Sequence, residues 1–383
     1  MPVYITVIAR SSEDREGRIE SVDVLRGLTI AGMIVVDDPG TWSAVYPPLL
    51  HAEWNGWTYT DTIFPFFLFL AGVSLVLSFS RRAAEGRSGG ALLGRLAGRA
   101  AALVALGLAL NLASYLALGL DRFRVPGVLQ RIGVCVFAAG AVWILGGRRA
   151  TSVAGVATGS AAVLLLLGYA ALMRGGVDPS DNLAARVDRA VFGAHTWRPG
   201  FDPEGLLSTI PAIGTTLLGT LAGARLRFTE SGSRGRQIAA LAAAGALAAA
   251  AGLVWDRSLP INKNLWTSSY ALLTSGLAAL ALAACMALEP FNGWKRATAP
   301  LQWLGRNAIA AFTLSMLGAI GLLAVKVAGP DGKPRSLWRT IHVAVFDRFA
   351  DPRLGSLLFA LAYLAVWIAV CGVLYRRRIF LKI

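Results

Sequence analysis

What most constrains this chain is a series of long apolar runs that recurs from one end to the other, separated by short polar connectors. A helix needs about 20 residues to cross the roughly 30 Å hydrocarbon core of a bilayer. With no water there to pair exposed N–H and C=O groups, runs of that length fold as helices. Ten candidate spans are read, at about 22–38, 60–80, 96–118, 126–146, 151–173, 206–225, 237–255, 267–288, 301–324 and 355–375. The expected fold is all-α, a polytopic transmembrane helix bundle forming a single domain over 1–383. Composition agrees: 15% of the 383 residues are charged, against about 25% in an ordinary soluble domain.

The formal net charge of +15 raises nucleic acid as a partner. The placement of the charges argues against it. Arg81 and Arg82, Arg148 and Arg149, Arg225 and Arg227, Lys295 and Arg296, and Arg376 to Arg378 fall in small clusters between apolar runs, without the interleaved aromatics of a nucleic-acid face. Basic residues in alternate short loops set orientation in a membrane. An even number of spans puts both termini on one side. The basic clusters make that side cytoplasmic, with a tail over 1–20 and longer external loops over 174–205 and 325–354. The connector at 38–59 holds no Lys or Arg and is expected outside. The N-terminal VYITVIA is too short for a signal-peptide core, so the first span is expected to act as an uncleaved signal. Cys135, Cys285 and Cys371 all fall inside apolar runs, which reads as small core residues and neither a disulfide framework nor a metal site.

That external connector concentrates the chemistry. It carries His51, one of three histidines in the chain, in HAEWNGW, with Trp54 and Asn55 after it and Asp61 at the start of the next span. Histidine is the side chain whose ordinary titration falls near neutral pH, which suits a general base. Asp61 or Asp37 could orient it by accepting the other ring proton; the plain alternative is an interfacial histidine capping a helix. Asp37 and Asp38 end the first span, either solvated or placed to hold a cationic amine. On the same side lie Asp202 and Glu204 in GFDPEG, and Asn262, Lys263 and Trp266 in PINKNLWTSSY. Carboxylates, amides and tryptophan together are what a sugar site uses, though each alone also caps helices. Arg26, Gln130, Arg131, Arg306 and Asn307 lie within or at the edge of apolar runs. Such arginines face a cavity or an anionic partner such as a phosphate, or snorkel to headgroups. Gly94 with Gly98, and Gly219 with Gly223, have the spacing of close helix packing. Serine-hydrolase, Walker and zinc-protease signatures do not occur.

Six stretches taken together, RIESVDVLRGLTIAGMIVVDDPG, HAEWNGWTYTDTIFPFFLFLAGVS, GVLQRIGV, GFDPEGLLSTIPAIGTTLLGTLAG, INKNLWTSSYALLTSG and PLQWLGRNAIAAF, resemble the heparan-α-glucosaminide N-acetyltransferase family in content and order, from about 18 to 376. The resemblance implies a transmembrane acetyltransferase. It would take acetyl from cytosolic acetyl-CoA, without a metal, and deliver it to the amine of a glucosamine-type sugar on the far side. It implies that His51 is the catalytic histidine, as base or as acetyl carrier, and it suggests a homodimer. The family often has Asn where this chain has Asp37, so an oxyanion donor at that position is put in doubt. The alanine-, glycine- and arginine-rich usage suggests a bacterium, hence an inner membrane and an acceptor other than heparan sulfate. Competing readings are a membrane acyltransferase for another envelope acceptor, and an amino-sugar or organic-anion transporter. Pro65 and Pro211 interrupt spans but not at repeat-related positions, which weakens the transporter.

Overall fold

The structure is a computed structural model, and it describes residues 6–7, 19–84, 86, 88–147, 151–228, 234–329 and 332–382. Most of the expected tail, together with Arg87, Arg148 and Arg149, therefore lies outside the described residues. The chain is a helical bundle. Its long helices are α1 (Glu20–Asp37), α2 (Tyr59–Ala84), α3 (Gly89–Leu118), α4 (Val128–Leu145), α5 (Thr151–Leu172), α7 (Thr209–Phe228), α8 (Arg234–Trp255), α9 (Ser268–Leu288), α12 (Ala308–Ala324) and α14 (Pro352–Arg376). Shorter ones are α6 (Leu183–Phe192), α10 (Trp294–Ala297), α11 (Ala299–Arg306) and α13 (Leu337–Ile341), the last running into a π-helical turn at His342–Phe346. Two small strand pairs complete it: β1 (Thr6–Val7) against β4 (Leu381–Lys382), and β2 (Lys326–Ala328) against β3 (Pro334–Ser336).

Among the described residues seven helices are long and apolar enough to cross a bilayer, eight if the bent pair α11–α12 counts as one span. The expected spans at 22–38 and 206–225 are helices too, α1 and α7, but do not belong to that set. Both are packed inside the bundle: Ile34, Thr215, Thr216 and Leu217 have no accessible surface, so these helices carry polar residues that lipid would penalise. The expected single span at 301–324 is broken by 86° where α11 ends at Arg306 and α12 begins at Ala308. Pro211 does not interrupt α7: it occupies the first turn, where the N–H it lacks has no helical partner anyway. Pro65 lies inside a helix that continues through it.

Local chemistry sets the helix ends near the site. Ser88 caps α3 by accepting from the Ala91 N–H, and Gly119 closes it in the left-handed region at φ +62°. Asn182 caps α6 and Asp351 caps α14 in the same way. α2 and α7 pack backbone against backbone, as α1 and α11 do through Gly27 and Gly305. A Cβ at Gly219 would stand 2.0 Å from the Phe69 carbonyl oxygen, and one at Gly72 would stand 2.1 Å from that of Thr216. Gly223 approaches Val73 similarly. Gly94 and Gly98 do not pack: they are exposed on α3 and a Cβ there meets nothing within 4 Å among the described residues. Small-residue spacing alone does not say which face of a helix is covered. The three cysteines are free, Cys135 and Cys371 buried and Cys285 partly so.

Candidate active site

His51 precedes α2, and the start of that helix explains its position. Thr58 is the residue before the helix, and Asp61, three residues on, reaches back to accept the Thr58 N–H at 2.9 Å, half of a capping box. The same carboxylate oxygen accepts the Ala52 N–H at 3.0 Å and the Thr58 hydroxyl at 3.2 Å. Its other oxygen lies 2.7 Å from His51 Nδ1. Asp61 is 1% exposed. A carboxylate holding so many donors is acceptor-only, so the proton between the two groups is carried by Nδ1, and in the neutral ring the lone pair is the one on Nε2.

Other parts of the chain hold the connector. The Gly56 N–H donates to the Ile261 carbonyl at 2.7 Å from a φ of +96° that glycine alone adopts cheaply. The Asn262 amide donates to Asn55 Oδ1 at 3.1 Å. Farther back, Gly40 lies against the His342 ring and its N–H reaches the Ser356 carbonyl, while the Tyr46 hydroxyl donates to Asp351 at 2.8 Å. The 260–267 turn is itself fixed. Asn262 Oδ1 accepts the Leu265 N–H, the Trp266 N–H donates to the Lys263 carbonyl, and Trp266 sits at φ +49°. Lys263 Nζ, carried on this turn, stands 3.2 Å from His51 Nε2.

His51 lines a cavity of about 920 Å³. Asp37, Glu53, Trp54, Arg124, Glu204 and Lys263 line its polar part. Ile30, Met33, Phe67, Ile132, Ile309 and Phe312, from α1, α2, α4 and α12, line an apolar part. Trp54 is fixed by donating Nε1–H to the Val177 carbonyl at 2.7 Å and by packing on Phe201. Asp37 lies within electrostatic reach of Lys263, His51 and Glu204.

Arg124 is the residue that the sequence reading missed. Its Nε and Nη2 donate to both Asp202 oxygens at 2.8 and 2.6 Å, and Nη2 also donates to Glu204. Burial by itself would raise the Glu204 carboxyl, but Arg124, then Arg131 and Lys263, outweigh it and hold the group below its ordinary range. For Arg124, burial is likewise outweighed by Glu204 and Asp202, which hold the guanidinium more firmly charged. No motif marks RFRVPG. The only hint was an arginine at a span edge, and its partners lie 78 and 80 residues on. A depressed folded-state carboxyl contributes stability above its unfolded pKa, about 4.3, and loses it as pH falls through the folded value. Arg124→Met strands two carboxylates. Its thermal midpoint at pH 7 should fall by the equivalent of about 3 kcal/mol. The deficit should shrink toward pH 4.5 as the stranded carboxyls take up protons; an equal deficit at both pH values would contradict the arrangement.

The other sequence candidates are placed as follows. Asp202 and Asn262 are buried, bonded to Arg124 and to Asn55, and neither lines the cavity. Trp266 is buried too, donating to Thr215 Oγ1 at 3.1 Å, with the Arg131 guanidinium 5.2 Å from its ring centre. Arg131 donates to the Gly205 carbonyl and the Ser208 hydroxyl, and Gln130 to the Val125 carbonyl, so both tie α4 to neighbouring loops. Arg26 and Arg306 converge on Asp23, at 3.1 and 3.5 Å. Arg26 also reaches Ser74, and Arg306 the Tyr375 hydroxyl. Asn307, at the α11–α12 break, has no exposed surface, and among the described residues neither of its amide atoms has a partner. No group of three or more His, Cys, Asp or Glu among the described residues could hold a metal.

Residues 18–261 match the family model described as heparan-alpha-glucosaminide N-acetyltransferase, catalytic. The Homo sapiens protein of that name is 27% identical over 352 residues, covering 77% of this chain and 52% of the human one. The Mus musculus protein is 26% identical, covering 96% of this chain and 60% of its own. The chain thus spans between about half and three-fifths of the length of these relatives.

Proposed function

Because the chain belongs to the heparan-alpha-glucosaminide N-acetyltransferase catalytic family, we propose that it is a membrane enzyme that transfers acetyl from acetyl-CoA to the amine of a glucosamine-type sugar. The observation that carries this is the Asp61–His51 pair at the wall of a cavity that Asp37 and Glu204 also line. His51 Nε2 takes a proton from the acceptor ammonium. Asp61 keeps the ring in the tautomer that allows this and balances the imidazolium that results. Glu204, held ionised by Arg124, supplies negative charge for the incoming ammonium, and Asp37 shares that wall of the cavity. Tryptophans 54 and 197, both at the cavity wall, offer faces to a sugar ring.

The donor fits the apolar part of the cavity. A thioester on a long amide-bearing arm needs a narrow apolar channel with a few hydrogen-bonding groups, and Asn307 holds both kinds of amide atom unsatisfied next to the lining residues Ala308 and Ile309. Arg26 and Arg306, converging on Asp23, supply cationic groups for the donor's phosphates. In this reading the helices make ten crossings of a bacterial inner membrane, both termini are cytoplasmic, and the His51 mouth faces out between the loops at 174–205 and 325–354.

The test is thiol release by the purified protein in detergent, with acetyl-CoA and glucosamine. Release that depends on the sugar is expected; none with any amine, together with no acetyl-CoA binding, would remove the reading. Asp61→Asn should lower kcat about 10²- to 10⁴-fold while leaving KM for the donor within a few-fold, since it disturbs the base and not the channel. A donor KM that rises in proportion instead would place Asp61 in binding.

A further inference from the structure

Lys263 is the one lysine among the residues lining the cavity. Its Nζ lies 3.2 Å from His51 Nε2 and 3.4 Å from Nδ1. The near-equal distances set Nζ against the ring, a small side-chain rotation from the Nε2 lone pair, so a primary amine of this chain stands beside the base, where the acceptor amine must come. The position is built and not fortuitous, because the turn carrying it is held by the buried Asn262 and by the Trp266 N–H. Three carboxylates lie within its electrostatic reach: Asp61, which holds His51, and Asp37 and Glu204, at the wall where a sugar ammonium would come.

We propose that Lys263 occupies the place of the acceptor amine and is acetylated by the protein itself when a thioester donor is bound without acceptor. This rests on the acetyl-transfer reading above. The Lys263 ammonium has two protons to lose. One passes to His51 Nε2 and on to the departing sulfur; the other leaves to solvent through the open mouth. The Nζ lone pair forms the C–N bond to the thioester carbonyl carbon, the C–S bond breaks, and the products are acetyl-lysine, free thiol and one proton. Acetyl-lysine is a stable, neutral amide. It would fill the acceptor's place and remove the cation that the three carboxylates share, so a chain modified this way is switched off. Free acceptor prevents it by displacing the lysine. The device ties lasting activity to a supply of acceptor.

The experiment uses the purified full-length protein in detergent with isotope-labelled acetyl-CoA and no sugar, followed by digestion and mass measurement of the peptide holding Lys263. Proximity predicts label at Lys263 at least about tenfold above that at Lys326 or Lys295, lost in His51→Ala and suppressed by added glucosamine. Lys263→Arg keeps the charge and should yield no label in that peptide. Labelling of the lysines alike, or label that persists in His51→Ala, would mean solution acetylation and would overturn the proposal. Glucosamine acetylation with Lys263 unlabelled would overturn it and leave the enzyme reading standing. No donor binding and no transfer to any amine would overturn both.

Discussion

His51→Ala is expected to lower acetyl transfer to glucosamine by about 10²- to 10⁴-fold while leaving the protein folded. The imidazole is half exposed at the cavity wall, with 46% of its side chain accessible, and its one strong bond is to Asp61. Removing it takes away the proposed base but strands little. Asp61 keeps its bonds to the Ala52 and Thr58 N–H groups and to the Thr58 hydroxyl, so the α2 cap survives. The measurement is thiol release beside a melting curve for both proteins. Unchanged turnover would sink the assignment of His51 as base. Lost turnover with a melting point lowered by many degrees would show that the residue is structural.

The second large effect is on the fold. Gly219→Ala adds one methyl group 2.0 Å from the Phe69 carbonyl oxygen, a contact no side-chain rotation relieves because both partners are backbone. α2 and α7 must move apart, which overpacks or opens the interface at a cost of about 1–3 kcal/mol or more. α2 begins just after His51, and α7 follows the Asp202–Glu204 loop, so activity should fall with stability. Gly98→Ala is the control. It adds the same methyl on an exposed helix face where nothing among the described residues lies within 4 Å, and should leave the melting point unchanged or raise it, since alanine is better in a helix by about 0.5–1 kcal/mol. Detergent size-exclusion profiles after heating would separate the two variants; equal behaviour would contradict the α2–α7 packing.

The same pair of substitutions shows what the sequence could convey. Apolar run length predicts helices because lipid or core burial requires it, and the pairing of His51 with Asp61 is legible because the partners are ten residues apart across one helix start. Gly94–Gly98 and Gly219–Gly223 look alike as text; only the position of α7 against α2 distinguishes them. Arg124 finds Asp202 and Glu204, and Arg26 meets Arg306 on Asp23, across separations that no local pattern encodes. The break at Asn307 was hidden because apolar residues continue on both sides of it. Its cue was a polar pair, Arg306 and Asn307, inside an otherwise apolar stretch. Trp266 read as a sugar platform by type, but its indole N–H is satisfied inside the bundle by Thr215.

The strap between Asn55 and Asn262 has a consequence for how the protein is made. It joins residues 207 apart, and Lys263 meets His51 across 212. A nascent chain that has delivered α1 through α8 already contains His51 and Asp61, yet lacks one of the segments that hold the connector. The Asn55–Asn262 and Lys263–His51 contacts therefore wait on synthesis of the 260–267 turn, because closure of so long a loop gains nothing until both ends exist. The half-made chain carries His51 and Asp61 before the turn that meets them from the far end of the sequence exists.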